Sequence, residues 1–451
     1  MSTPPFPTVL FVAPSAYPLG GVAVWLDYLT PALAAHGWTG IAGLVAGPCH
    51  DVAAYRAAYP RLPVVEITNP TGSHEGRIRA IERALLQHKP DVVVAVNIVD
   101  VYAAAQRVRQ RGQRTKTVMA LHGIAADLLG DLARESTWLD AVIATNRLAC
   151  RLCVEHAGMP PERVLYAPYG VDVDALGALA RAPRVGPLRI VWVGRLEQDQ
   201  KRVGDLPAIA AELDRLGIDY VLRLVGDGPE REPTLQSLQP WLESGRVEYA
   251  GALPAAELGP RVYANADVLL LTSSWETGPI VIWEAMAAGV AIVTSRYVGS
   301  GLEGALLHEQ NCLTFPVGDG AQAARQLERL ANDASLLEQL AGAGRRLVAE
   351  RYAIGQSVRG WALCLDAVMQ LPERAPGAPT LSPKPAGRLD RLIGVGGAES
   401  ARTALRVAFR HGDPGGEWPH TAALRADEVA LIDLAQLLDK AAVQDTRSID
   451  A

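Results

Sequence analysis

Residues 188–203 read LRIVWVGRLEQDQKRV. The run Leu188–Val193 is rich in β-branched and aromatic side chains, as strands are. Gly194 and Arg195 close it, and a polar stretch through Lys201 leads into a helical pattern that starts near Val203. A short apolar run closed by glycine and followed by an amphipathic stretch is one strand–loop–helix unit of a parallel sheet. The unit recurs downstream. YVLRLV (220–225) is closed by Gly226-Asp227-Gly228-Pro229, and Val247–Ala250, Asp267–Leu271 and Val290–Thr294 read as further strands. Helical stretches lie at 203–216, 255–264 and 279–288. Upstream, Thr8–Ala13 reads as a first strand, then a loop with Gly20 and Gly21 and a helix over Val22–His36. Asp91–Val96, Thr117–Leu121, Ala141–Ala144 and Arg163–Tyr166 read as later strands. RAPRVGP (181–187) interrupts the alternation and reads as a linker, which predicts an α/β protein of two similar halves.

Composition agrees with that class. Of 451 residues, 49% are apolar and 20% charged, which excludes a mostly disordered chain. Lys and Arg number 43 against 49 Asp and Glu, so the net charge is -6 and the whole molecule has no attraction to nucleic acid. MSTPPFPT (1–8) has no basic stretch before an apolar run, so no secretory leader is expected. No apolar run approaches the ~18–20 residues of a membrane span. The cysteines, at 49, 150, 153, 312 and 364, are odd in number and fit a reducing compartment. The expected location is therefore the cytoplasm. Cys150 and Cys153 form C-x2-C, but no second pair completes a zinc site.

In doubly wound sheets, ligands bind beyond the carboxyl ends of the strands. In the second half those ends carry Gly194-Arg195, Gly226-Asp227-Gly228 and Ser273-Ser274-Trp275-Glu276. Two fixed cations, Arg195 and Lys201, beside a glycine suit a diphosphate; a solvated loop has the same composition. SSWETGPIVIWEAMAAG (273–289) is more specific. Glu276 follows a strand, and Thr277, Gly278 and Pro279 open a helix whose N-terminus presents unpaired N–H groups. Glu284 lies within that apolar helix. A carboxylate there needs a partner, such as the paired hydroxyls of a ribose or a salt bridge at the helix surface.

The 273–289 stretch resembles the two-glutamate signature of glycosyltransferase family 4, retaining enzymes that use nucleotide sugars. VWVGRLEQDQKRV (191–203), LRLVGDGPE (222–230), YGVDVDAL (169–176), PLGGVAVWL (18–26) and ALHG (120–123) are similar to other segments of that family, in its order. The resemblance spans roughly residues 8–371. It implies a GT-B fold: two facing Rossmann-like domains with a cleft between them, an acceptor-binding domain at 1–183 and a nucleotide-sugar domain at 184–354. It implies catalytic roles for His122, Arg195, Lys201 and Glu276. Arg195 and Lys201 would hold the donor diphosphate, Glu276 the sugar hydroxyls and Glu284 the ribose. Gly20, Gly21, Gly194, Gly226, Gly278, Pro279 and Ile280 would line the donor, the last three through their backbone, and His122 would lie by the transferred sugar. No metal and no cofactor is required. The implied partners are a nucleoside-diphosphate sugar and a saccharide or lipid-linked acceptor of cell-surface polysaccharide or glycolipid synthesis. Thr277 and Gly278 replace the more usual Gly and Phe, and Asp172-Val173-Asp174 spells a D-x-D that elsewhere binds metal. An epimerase or a non-catalytic nucleotide-sugar-binding protein on the same fold is the alternative. A dinucleotide oxidoreductase is disfavoured, because Arg231 stands where G-x-G-x-x-G needs its last glycine.

The remaining chain adds a helix at 355–371 expected to cross back to the first domain, a Pro-rich linker at 372–387 and a helical extension at 388–451. In the extension, Glu399–Arg410 reads as a helix with Arg402, Arg406 and Arg410 at spacing four. Such a basic stripe suits either peripheral contact with an anionic membrane or a helix docked with its arginines in water.

Overall fold

Val92–Val96 is buried along its whole length, as the central strand of a parallel sheet covered on both faces must be. In the computed structural model the described residues are 6–15, 21–46, 51–181, 183–377, 387–409 and 425–449. The chain forms two compact units, Met1–Pro168 with Ser357–Asp433, and Tyr169–Gln356 with Leu434–Ala451.

The first unit is built on seven parallel strands: β1 (Thr8–Pro14), β2 (Thr39–Val45), β3 (Val64–Ile67), β4 (Val92–Val96), β5 (Lys116–Leu121), β6 (Ala141–Ala144) and β7 (Val164–Tyr166). Their order is β3-β2-β1-β4-β5-β6-β7. The second unit has six: β8 (Leu188–Val193), β9 (Tyr220–Val225), β10 (Val247–Gly251), β11 (Val268–Leu271), β12 (Ala291–Ser295) and β13 (Leu313–Phe315), in the order β10-β9-β8-β11-β12-β13. Along β8 the side chains alternate between two apolar layers. Leu188, Ile190 and Trp192 pack with the helices Leu206–Arg215 and Gly320–Asn332, while Val191 and Val193 pack with the helix Ile280–Ala287. Both sheets therefore reverse their strand order once, between β1 and β4 and between β8 and β11.

The division after Pro168 precedes the linker reading at 181–187. Residues 169–181 belong to the second unit because they are tied to it: Val171 bridges to Ala353, and Leu176 and Leu179 join its apolar layer. The helix Ile354–Gln370 enters the first unit at Ser357. There Trp361 packs at 4.9 Å from Trp25, and Trp38 Nε1 donates to Asp366 (2.9 Å). The described part of the Pro-rich segment is not a free spacer. Its carbonyls, and that of Leu371 just before it, are caught by basic side chains: Lys116 donates to Leu371 O (2.7 Å), Arg163 to Pro372 O (3.2 Å) and Arg109 to Arg374 O. Residues 378–386 lie outside the described residues.

The basic stripe is corrected. Arg388–Leu405 is helical on either side of a kink at Gly394 (φ +74°), and Arg406 adopts a left-handed conformation that ends it. Arg402 is buried, pairs with Asp390 at 2.8 Å and lies over the Phe409 ring; Arg410 lies outside the described residues. Burial of an arginine demands a carboxylate, and Asp390 and Glu399 supply it where a water-facing stripe had been expected. Glu399 also accepts hydrogen bonds from Thr71 (2.7 Å) and Ser73 (2.5 Å), which docks this helix on the first unit. Among the described residues no helix is long and apolar enough to cross a membrane.

Candidate active site

In the second unit, the predicted residues gather where the strand order reverses, beyond the carboxyl ends of neighbouring β8 and β11. That is where an open parallel sheet leaves a crevice. The loop after β8 and the loop after β11 are stitched together. Ser274 N donates to Gln200 O (2.7 Å), and Thr272 Oγ1 donates to Lys201 O (2.6 Å) while accepting from Trp192 Nε1 (3.0 Å). Glu197 folds the first loop by accepting from the backbone N–H groups of Gln200 and Lys201.

This stitching brings Lys201 Nζ to 2.6 Å from the Glu276 carboxylate. Glu276 is buried and also accepts from Ser273 Oγ (2.5 Å) and Gln200 Nε2 (3.3 Å). Its backbone N–H donates to Val298 O (3.2 Å), so the segment after β12 fixes it from behind. Arg195 is exposed and forms no ion pair among the described residues.

Two glycines explain how the turn after β9 packs directly against the end of β8. Gly226 has φ +139°, and a Cβ there would stand 1.8 Å from the Gly194 carbonyl oxygen. Gly228 is as tight, with 2.2 Å to Leu196 O. Both positions require glycine, so the G-D-G turn can press against the Gly194–Leu196 backbone.

Gly278 is left-handed (φ +108°) and turns the chain into the helix Ile280–Ala287. Pro279 is the N-cap residue, one position before the helix, and no side chain caps this end. Proline has no N–H, so of the three backbone positions expected to face a ligand, Gly278 and Ile280 can donate and Pro279 cannot. Glu284, inside the helix, accepts a hydrogen bond from Tyr263 Oη (2.9 Å). Burial raises its carboxyl to about 7, the Tyr263 hydroxyl opposing the shift. A surface salt bridge, the plainer reading of Glu284, is not formed among the described residues.

Asp172 has a local role: its Oδ1 accepts from Ala175 N (2.9 Å) and caps the short helix Val173–Gly177. In the first unit, His122 follows β5. It is buried, its ring 4.6 Å from that of Trp25, and burial depresses its basicity to about 3, so the imidazole is neutral at pH 7. Gly21 opens the helix Gly21–Ala32 and is exposed. Gly20 lies outside the described residues.

The sequence places Ser273 at the strand end but gives it no role, and it gives no sign of Gln200, Tyr263 or the Trp192–Thr272 lock. Ser273 stood inside the quoted stretch. The others are single polar residues whose partners are distant in sequence, and spacing alone carried no signal for them. A cavity of about 600 Å³ opens elsewhere on the second unit, beside Arg181, Arg189, Asp267 and Arg345, and none of the predicted residues lines it.

Residues 19–175 match the family described as Glycosyltransferase Family 4, and residues 187–333 match Glycosyl transferases group 1. Glycogen synthase of Mycobacterium tuberculosis is 29% identical over 177 residues, 39% of this chain and 42% of that protein. The 2-deoxystreptamine glucosyltransferase of Streptomyces kanamyceticus is 30% identical over 195 residues, 43% of this chain and 49% of that one. The chain thus spans less than half the length of these curated relatives. Anabaena HepE in complex with UDP superposes with a TM-score of 0.65 at 19% identity, covering 80% of this chain and 100% of HepE. HepE in complex with UDP-glucose superposes equally well, with a TM-score of 0.65. At that identity the likeness is one of fold.

Proposed function

The chain belongs to glycosyltransferase family 4 and has the GT-B fold, and from that premise we propose that it moves a sugar from a nucleoside diphosphate to an acceptor hydroxyl, with retention at the anomeric carbon and without a metal. The observation that carries this reading is the Lys201–Glu276 pair, which joins the loops after β8 and β11 at the strand-order reversal of the second sheet, with exposed Arg195 on the first of those loops. A cation and a carboxylate side by side match the two ends of a sugar diphosphate. Lys201 and Arg195 take the phosphates, and Glu276 accepts from sugar hydroxyls. The N–H groups of Gly278 and Ile280, at a helix N-terminus, add donors for negative charge.

Glu284 takes the ribose. Its carboxyl is half-protonated near neutrality, and two ribose hydroxyls supply the donors that favour the ionised form. UDP in HepE supports a uridine nucleotide as the donor's carrier.

The chemistry rests on positioning and charge. As the bond to the leaving phosphate breaks, Arg195 and Lys201 neutralise the developing charge, and the departing phosphate oxygen takes the acceptor's proton. His122, neutral at pH 7, acts as a hydrogen-bonding group and carries no charge. The acceptor is a saccharide or lipid-linked hydroxyl.

A thermal-shift screen of nucleoside diphosphates and their sugars tests this. A ligand at 100 times its Kd stabilises the fold by about 2.7 kcal/mol. UDP or a UDP-sugar should raise Tm, and incubation with acceptors should yield a transferred sugar. A flat response to every nucleotide would overturn the proposal, and an epimerised free nucleotide sugar would point to the isomerase.

A further inference from the structure

The short helix Ser300–Glu303 lies on the segment after β12, and its N-cap residue is Gly299. Glycine has no side-chain oxygen with which to bond the second and third helical N–H groups, the task an N-cap Ser, Asp or Asn performs. Here the acceptor comes from far along the chain. Asp439, in the helix Arg425–Ile449, accepts from Leu302 N (2.7 Å) with one carboxylate oxygen and from Gly301 N (3.3 Å) with the other. Asp439 is buried, on the same face as Ala435.

The capped segment is the one that holds Glu276. Val298 O accepts from Glu276 N (3.2 Å), Val298 N donates to Ser274 O (2.9 Å), and Trp275 and Val298 form a β-bridge. Ser300 is tied back to Tyr297 O through its backbone (3.1 Å) and its hydroxyl (2.6 Å). One continuous set of bonds therefore runs from Asp439 through 297–302 to the backbone of Glu276.

The geometry points to Asp439 as a positioning residue for the donor site: the C-terminal helix supplies, from a distant part of the same chain, the cap that Gly299 lacks, and so holds the segment on which Glu276 rests. The consequence for donor affinity rests on the function proposed above; the consequence for the segment does not.

Hydrogen exchange of the full chain separates the two. Asp439→Ala should speed exchange of amides in 297–304 and 274–277 by about tenfold and leave β9 unchanged. Asp439→Asn keeps a neutral acceptor and should fall between. Replacing exposed Leu437 with Ala should change nothing. Unchanged exchange at 297–304 in Asp439→Ala, or an equal rise in β9, would overturn the proposal. In transfer assays the same variant should raise KM for the donor several-fold more than it lowers kcat, with partial rescue by Asn; an equal fall of kcat in both variants, with KM unchanged, would also overturn it. A parent protein that binds no nucleotide while the exchange pattern holds would leave the cap standing and remove the donor reading.

Discussion

Glu276 and Glu284 stand close together in sequence, yet the loop and the helix that carry them treat a carboxylate in opposite ways. Glu276 is surrounded before any ligand arrives: an ammonium, a hydroxyl and an amide converge on it. Glu284 has one phenol, Tyr263, and burial lifts its carboxyl to about 7. The loop is prepaid in structure and ready to grip, whereas the helix holds an acid whose charge is incomplete until something donates to it. Preorganisation and unsatisfied capacity thus sit on one continuous segment, and each implies a different response to mutation and to pH.

The contrast breaks most readily at Lys201. Lys201→Ala leaves Glu276 buried without its cation, which costs about 3–5 kcal/mol of stability by the usual measure of a broken buried pair. Glu276→Gln in the same chain should restore part of it. Denaturant unfolding of the two single variants and the double reads the coupling, and additive effects would mean that the pair is not a unit.

Glu284 should show itself through pH. Its folded value lies above the ordinary 4.5, so the folded state holds the proton more tightly than the unfolded chain. The stabilisation is fully present below 4.5 and is lost as pH rises through about 7, at up to ~1.4 kcal/mol per pH unit. Glu284→Gln should flatten that slope in a Tm-against-pH series. If the parent and the variant fall in parallel, the raised carboxyl is not there. Nucleotide binding near pH 6.5 should also release protons, visible as a dependence of binding heat on the buffer.

Arg195→Ala is the sharpest separation of grip from fold. The side chain is exposed and unpaired among the described residues, so Tm should move by less than about 0.5 kcal/mol equivalent. Transfer should fall by about 10–100-fold, the worth of one charge-assisted hydrogen bond. A large loss of stability with turnover intact would reverse the assignment.

Much of this is legible in the amino-acid sequence. The bounds of β8 and β9 match the sequence reading residue for residue, because each is a β-branched run closed by glycine. β2, β3 and β13 carry no such signal in the sequence. β2 contains Gly40 and Gly43, which lower strand propensity. Gly40 is there because a Cβ would stand 2.3 Å from Thr30 O on the neighbouring helix. β3 and β13 are edge strands of a few residues, too short for alternation to register. In the site, the charged residues announced themselves by type and place. Tyr263 and Gln200 did not, since a lone polar residue gains meaning only when the fold brings its partner. The arginine spacing in the extension misled because period alone cannot tell a wet face from one that meets Asp390.

The absent side chains at 226 and 228 carry a final consequence. In sequence, V-G-D-G-P and V-G-R look like independent words separated by a whole helix. In space they are the two sides of one seam, closed to backbone contact at Gly194 and Leu196. A saturation scan across both words should therefore score as a single block of intolerance, and any tolerated change on one side will need its answer on the other.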